Sequence, residues 1–64
     1  MSYEPRRHAT TVEKLHALLF AATYVREVID ATAPEAVSDL NHLARIHLGI
    51  TDFMDTLKKR EGLS

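Results

Sequence analysis

The residues best suited to metal binding or catalysis in this sequence are two carboxylate–histidine pairs: Glu13 with His16, and Asp39 with His42. Residues three apart on a helix point in similar directions, and Glu-x-x-His is the ligand spacing of di-iron sites inside four-helix bundles. A site of that kind needs its ligands to converge on the bundle core. Whether these four side chains do so depends on which faces of the helices are apolar.

Other catalytic arrangements are missing from the sequence. Cysteine is absent, which excludes disulfides, thiolate nucleophiles and thiolate zinc sites. No serine has a histidine and an acid at a recognisable spacing, and the two glycines cannot form a phosphate-binding loop. A chain of 64 residues is also too small to enclose a ligand pocket of roughly 300–1,000 Å³. We therefore expect no enzymatic activity and no cofactor.

The first helix is predicted from a capping box and a heptad pattern. Thr10 and Glu13 have the spacing at which each side chain caps the other's backbone N–H. Apolar residues then recur at alternating steps of three and four, which is typical of a helix packed along one stripe. The predicted stripe is Val12, Leu15, Leu19, Ala22, Arg26 and Ile29. We predict a helix over 11–31, after a flexible tail of residues 1–9.

The second helix is predicted from a similar pair of signals. Thr32 and Glu35 repeat the capping-box spacing, and Gly62 is suited to a left-handed C-cap. We predict a helix over 33–60 and a hairpin unit over 10–62. The predicted stripe is Ala36, Leu40, Leu43, His47, Ile50, Met54 and Leu57.

A connection of two or three residues predicts an all-α fold of two antiparallel helices in a hairpin. Folding about Thr32–Ala33 gives the pairs Ile29–Ala36, Ala22–Leu43, Leu19–Ile46, Leu15–Ile50 and Val12–Phe53. It also places Arg26 beside Asp39, so we predict an ion pair across the hairpin that fixes its register. The alternative is that Arg26 lies along apolar surface with its head in solvent, while Asp39 caps or solvates the first turns of the second helix.

The apolar surface is more extensive than one hairpin can bury. On the second helix the apolar arc covers roughly 220°, whereas one packing partner requires about 100°. A chain this short without disulfides or metals is also marginally stable alone. We expect two hairpins to form a homodimeric four-helix bundle; the alternative is docking on a different protein. The predicted dimer-interface or partner-binding residues are Ala17, Phe20, Tyr24, Val28, Val37, Ala44 and Leu48.

The directions in which the side chains of the carboxylate–histidine pairs point around each helix argue against a metal site. Glu13 and His16 lie roughly 100–160° from the Leu15 side of the first helix, and His42 lies at the edge of its stripe. The ligands would not converge, so no metal is expected.

Gly49 interrupts the second helix at a cost of roughly 1 kcal/mol relative to alanine. One interpretation is a close approach by another backbone, and the other is a tolerated surface glycine or a local bend. Its position just outside the apolar arc favours the second interpretation.

Charge and hydropathy bear on the environment of the protein. Eight basic and nine acidic residues are interspersed, giving a net charge of −1, so no strong field recruits nucleic acid or an anionic membrane. The longest apolar run, Ala17–Ala22, is too short to span a bilayer. The first nine residues do not resemble a signal peptide. We expect a cytoplasmic protein with no membrane partner.

Chain length, hairpin form and a turn just before the midpoint resemble the Rop family of plasmid copy-number proteins. Those proteins are dimers of helical hairpins that bind RNA loops. The resemblance concerns architecture and transfers no residue roles. Our leading hypothesis is a small non-enzymatic regulatory or adaptor protein, for example an inhibitor or anti-activator, that binds a larger protein stoichiometrically. The alternatives are a Rop-like nucleic-acid binder and a purely structural assembly subunit.

Overall fold

The computed structural model describes residues 8–62. They form two α-helices, α1 (Thr11–Ala31) and α2 (Val37–Glu61). The helices pack against each other, and no strand occurs in that range. The predicted all-α hairpin is therefore confirmed. Residues 1–7, which carry most of the predicted N-terminal tail, lie outside the described residues.

The start of α1 follows from reciprocal hydrogen bonds between Thr10 and Glu13. The backbone N–H of Glu13 donates to Thr10 Oγ1 over 3.1 Å, and the backbone N–H of Thr10 donates to Glu13 Oε1 over 2.9 Å. Two N–H groups that lack helical partners are thereby satisfied. The capping box and both ends of α1 are as predicted.

Thr32 ends α1 and does not start α2. Its hydroxyl donates to the carbonyl oxygen of Val28 over 2.6 Å, and its N–H donates to the carbonyl oxygen of Ile29 over 3.1 Å. A threonine hydroxyl can bond backward to the carbonyl one turn earlier as readily as forward to an N–H. The predicted capping box between Thr32 and Glu35 is therefore wrong.

The connection between the helices is five residues long, 32–36, where two or three were expected. A turn closes it, in which the N–H of Ala36 donates to the carbonyl oxygen of Ala33 over 3.0 Å. Ala33 precedes Pro34, and a residue before proline is disfavoured in the helical conformation. This explains why Ala33 is not helical, and the turn over 33–36 then places the start of α2 at Val37, four residues after the predicted start.

Gly62 ends α2 in the left-handed conformation, with φ of 72°. Its N–H donates to the carbonyl oxygens of Lys58 and Lys59, and glycine adopts this conformation without steric cost. The predicted C-cap is confirmed, and the helix ends one residue beyond the predicted 60.

The stripe of α1 that packs on α2 is shifted by one residue at two positions. It consists of Leu15, Leu18, Ala22, Val25 and Ile29, whereas Val12, Leu19 and Arg26 are exposed. Leu18 and Val25 keep the stripe entirely apolar and leave Arg26 in water. The predicted stripe of α1 was therefore partly wrong, while all seven predicted members of the α2 stripe are at least partly shielded from solvent.

The hairpin is a single layer, and its overall dimensions are 45 × 34 × 14 Å. Among the described residues only Ala22 and Leu57 are buried, with 6% and 1% of their surfaces exposed. Globular domains normally bury their apolar surface between at least two packed layers. Most of the apolar surface of this chain is consequently open on both sides of the layer.

Candidate protein-binding surfaces

The hairpin has two opposite open faces. The groove face carries Val12, Leu19, Val37, Ala44 and Leu48, and the aromatic face carries Ala17, Ala21, Tyr24, Val28, Ile46 and Phe53. The assignment follows from the direction of each residue relative to the packed stripes, at about 100° per residue. Phe20 points away from α2, at the outer edge of the aromatic face, and is 74% exposed.

The predicted interface residues divide between these faces. Ala17, Tyr24 and Val28 lie on the aromatic face with Phe20 at its edge, whereas the three from α2, Val37, Ala44 and Leu48, lie on the groove face. The predicted pairs Leu19–Ile46 and Val12–Phe53 join residues of opposite faces, so those two pairs are wrong. Each member of both pairs is exposed.

An open groove of about 350 Å³ runs between the helices on the groove face. Its lining is Leu19, Ala22, Thr23, Arg26, Glu27, His47, Thr51 and Met54. Leu19 therefore lies with Thr51 and Met54, further along α2 than the predicted partner Ile46. The longer connection explains the direction of this change in register. The groove combines an apolar floor with the charged side chains of Arg26 and Glu27.

Arg26 has its ion-pair partner on its own helix. Arg26 Nε lies 3.6 Å from Asp30 Oδ1, and both side chains are 68% exposed. Asp39 is exposed on the side of α2 that belongs to the aromatic face. The predicted Arg26–Asp39 pair is therefore wrong, because the two residues face opposite sides of the hairpin.

Charges on the aromatic face are confined to its two ends. Asp39 lies near the connection, while Lys14 and Arg60 lie at the other end, which we call the open end. Between them the face presents aliphatic and aromatic side chains together with the polar His42 and Thr56. The groove face differs, because the pair of Arg26 and Asp30 lies beside its groove.

A second regular stripe on α2 was missed by the sequence reasoning. The residues that share one side of the helix and are all exposed are Asp39, His42, Ile46, Gly49, Phe53, Thr56 and Arg60. Except for Arg60, each directly precedes a member of the packed stripe, so the same alternation of three and four applies. This constant offset of one residue from the packed stripe was the signal in the sequence that could have revealed the second stripe.

Gly49 has no evident role inside the hairpin. A Cβ atom built at this position meets nothing within 4 Å. Alanine would therefore fit, and it would favour the helix by roughly 1 kcal/mol.

The carboxylate–histidine pairs do not assemble into a site. Glu13 Oε1 accepts the N–H of Thr10, and His42 Nδ1 lies 2.8 Å from the carbonyl oxygen of Ser38. Within residues 8–62, no three histidine or acidic side chains are grouped closely enough to hold a metal ion.

Neither described helix is long and apolar enough to cross a membrane. Comparison of the chain with protein-family models, with curated proteins and with solved structures finds no match.

Proposed function

We propose that this protein is a small non-enzymatic regulatory or adaptor protein that forms a homodimer and binds another protein. The observation that carries the proposal is the exposure of eight large apolar side chains on a single-layer hairpin. They are Val12, Leu19, Phe20, Tyr24, Val37, Ile46, Leu48 and Phe53. Contiguous exposed apolar surface on a small protein commonly marks an interaction site.

Pairing of two hairpins would bury one face of each and form a four-helix bundle. Because the two open faces lie on opposite sides, the second face would then point outward on both sides of the dimer. An outward face with a groove between two helices suits an amphipathic helix of a partner protein, which lays its apolar side chains into such a groove. In this proposal the partner is therefore held stoichiometrically, without chemistry.

A capture experiment with a matched control tests the proposal. Wild type, Leu48→Lys and Asp52→Asn would each be immobilised and exposed to nuclease-treated extract of the native cell. Leu48→Lys places a charge on the groove face, while Asp52→Asn makes the same change in net charge on the outer side of α2. We expect wild type and Asp52→Asn to retain one protein at high salt, and Leu48→Lys to lose it.

The captured protein would then be purified and mixed with wild type at known ratios. Saturation at a fixed stoichiometry supports the proposal. Binding of separately added nucleic acid that is released steeply by salt would contradict the proposal, because phosphate contacts are salt-dependent and apolar docking is not. Equal capture by Leu48→Lys and wild type would also contradict it.

A further inference from the structure

We infer that a second copy of this chain packs on the aromatic face, with the two α2 helices antiparallel and crossing at Gly49. The inference rests on the proposed function, because it states which face forms the homodimer. It leaves the groove face open for the other partner.

The apolar residues of the second α2 stripe are arranged almost symmetrically about Gly49. Ile46 lies three residues before Gly49 and Phe53 lies four residues after it. An antiparallel copy of α2 therefore brings Ile46 of one protomer against the partner's Phe53, twice per dimer. The two side chains are 52% and 45% exposed in the hairpin, so each has surface left to bury. Their spacing is that of a heptad contact between helices.

Charged residues continue the same symmetry toward the ends of the stripe. Asp39 lies ten residues before Gly49 and Arg60 lies eleven after it. In the antiparallel arrangement each Asp39 faces the partner's Arg60, which gives two opposite-charge pairs at the rim of the interface. Parallel packing of the two helices would instead place like charges together. The charge pattern therefore selects a self-complementary, isologous contact.

Gly49 acquires a role at the centre of this contact. Nothing in the hairpin occupies the space where its Cβ would lie, so the fold of one protomer does not require glycine. At a helix crossing, the absence of a side chain allows two backbones to approach closely. The contact at the two-fold axis explains a residue that otherwise weakens the helix.

The α1 side of the aromatic face adds area to the interface. Tyr24 is 68% exposed, Phe20 is 74% exposed at the edge, and the small Ala17 and Ala21 lie beside them. Taking roughly 200 Å² for a fully exposed large side chain, Tyr24, Ile46 and Phe53 offer roughly 330 Å² per protomer. Two copies offer roughly 660 Å², and the flanking Phe20, Ala17 and Ala21 add to this toward the roughly 1,200 Å² of the smaller stable interfaces. The groove face has no aromatic residue among those that define it, and its Arg26–Asp30 pair is a poor centre for an interface.

Two lysine substitutions two residues apart test the choice of face. Ile46→Lys alters the aromatic face, and Leu48→Lys alters the groove face of the same helix. The native residues are similarly exposed, at 52% and 59%, so both changes are tolerated similarly by a lone hairpin. We expect Ile46→Lys to raise the dimer dissociation constant at least a hundredfold, and Leu48→Lys to leave it within threefold. Sedimentation equilibrium with circular dichroism on the same samples measures both the mass and the helix content.

Charge reversal tests the antiparallel orientation. Asp39→Lys and Arg60→Glu should each weaken the dimer on the order of tenfold, because each creates two like-charge contacts. The double variant Asp39→Lys, Arg60→Glu exchanges the charges and should recover most of the loss. Lys59→Glu is the control, since it makes the same change one residue away on the other side of α2 and should have little effect on dissociation.

Each outcome decides between interpretations. A wild type that stays monomeric overturns this inference and the homodimer of the proposed function together. If the wild type is a dimer, two results overturn the inference alone. One is dissociation of the dimer by Leu48→Lys, and the other is a dimer that persists in Ile46→Lys. Failure of the double charge variant to recover affinity overturns the antiparallel contact. A failed capture of another protein would contradict the proposed partner binding and leave the dimer contact standing.

Discussion

Arg26 and Asp30 lie one helical turn apart on α1, with Arg26 Nε 3.6 Å from Asp30 Oδ1. Both side chains are 68% exposed, so water screens the attraction between the two charges. Exposed pairs at this spacing typically contribute about 0.3–0.5 kcal/mol. The pair therefore adds little to the stability of the fold.

Two double-mutant cycles should show that Arg26 interacts with Asp30 and does not interact with Asp39. Changing Arg26 and Asp39 to alanine, singly and together, should give additive free energies of unfolding within about 0.5 kcal/mol, because the residues face opposite sides. The cycle for Arg26 and Asp30 should give a coupling of about 0.3–0.5 kcal/mol that falls with salt. Urea unfolding measures both. A coupling above about 1 kcal/mol between Arg26 and Asp39 would contradict their separation.

Removal of the α1 cap should destabilise the protein, whereas removal of the apparent second cap should not. Thr10→Ala leaves the N–H of Glu13 without its partner and should cost about 1 kcal/mol. Glu35→Ala should change stability by less than about 0.5 kcal/mol, because Glu35 caps no helix. Thermal unfolding at one protein concentration compares the two. A larger loss for Glu35→Ala would contradict the observed connection.

Leu57 should be the most sensitive position of the interhelical packing. Its side chain is 1% exposed, so Leu57→Ala leaves a cavity and should cost about 2–5 kcal/mol. Leu48→Ala removes the same atoms from a side chain that is 59% exposed and should cost less than about 1 kcal/mol. Equal losses in urea unfolding would show that the packing between α1 and α2 differs from that described.

Gly49→Ala should separate folding of the hairpin from association of two copies. Alanine should favour the isolated helix by roughly 1 kcal/mol, yet its methyl group should weaken a contact in which two α2 backbones cross at this position. We expect a higher helix content per monomer together with a dimer dissociation constant raised at least tenfold. Asn41→Ala, elsewhere on α2, is the control and should leave association unchanged. An unchanged or tighter dimer in Gly49→Ala would contradict the crossing.

The two helices differ in how well the sequence predicted their packing. In α2 each member of the packed stripe stands four or three residues from the next, and all seven were identified. In α1, Leu18 and Leu19 are adjacent leucines, and Val25 stands beside Arg26, so two stripes one residue apart were possible. The predicted stripe required a polar Arg26 in the core. The cost of burying Arg26 favours the observed stripe. It could have decided between the two possible stripes of α1.

The connection was harder to predict, because Thr32 fits two local roles. Its spacing to Glu35 is that of a capping box, but its hydroxyl bonds to Val28 at the end of α1. The effect of Pro34 on Ala33 was the available warning. The longer connection also changed the register between α1 and α2. Together with the shifted α1 stripe, this change separated Arg26 from Asp39. The face used for association could not be read from the pattern of either helix alone, because it depends on how their flanks combine.

Sedimentation equilibrium of the wild-type protein at several micromolar concentrations tests most directly whether the hairpin is half of a homodimeric bundle. We predict a mass that approaches twice the 7.2 kDa of one chain, with circular dichroism showing that the helices are intact. Dilution should lower the mass toward that of one chain. A well-folded species of 7.2 kDa at every concentration would contradict the account, because a single layer that exposes both apolar faces would then be stable alone.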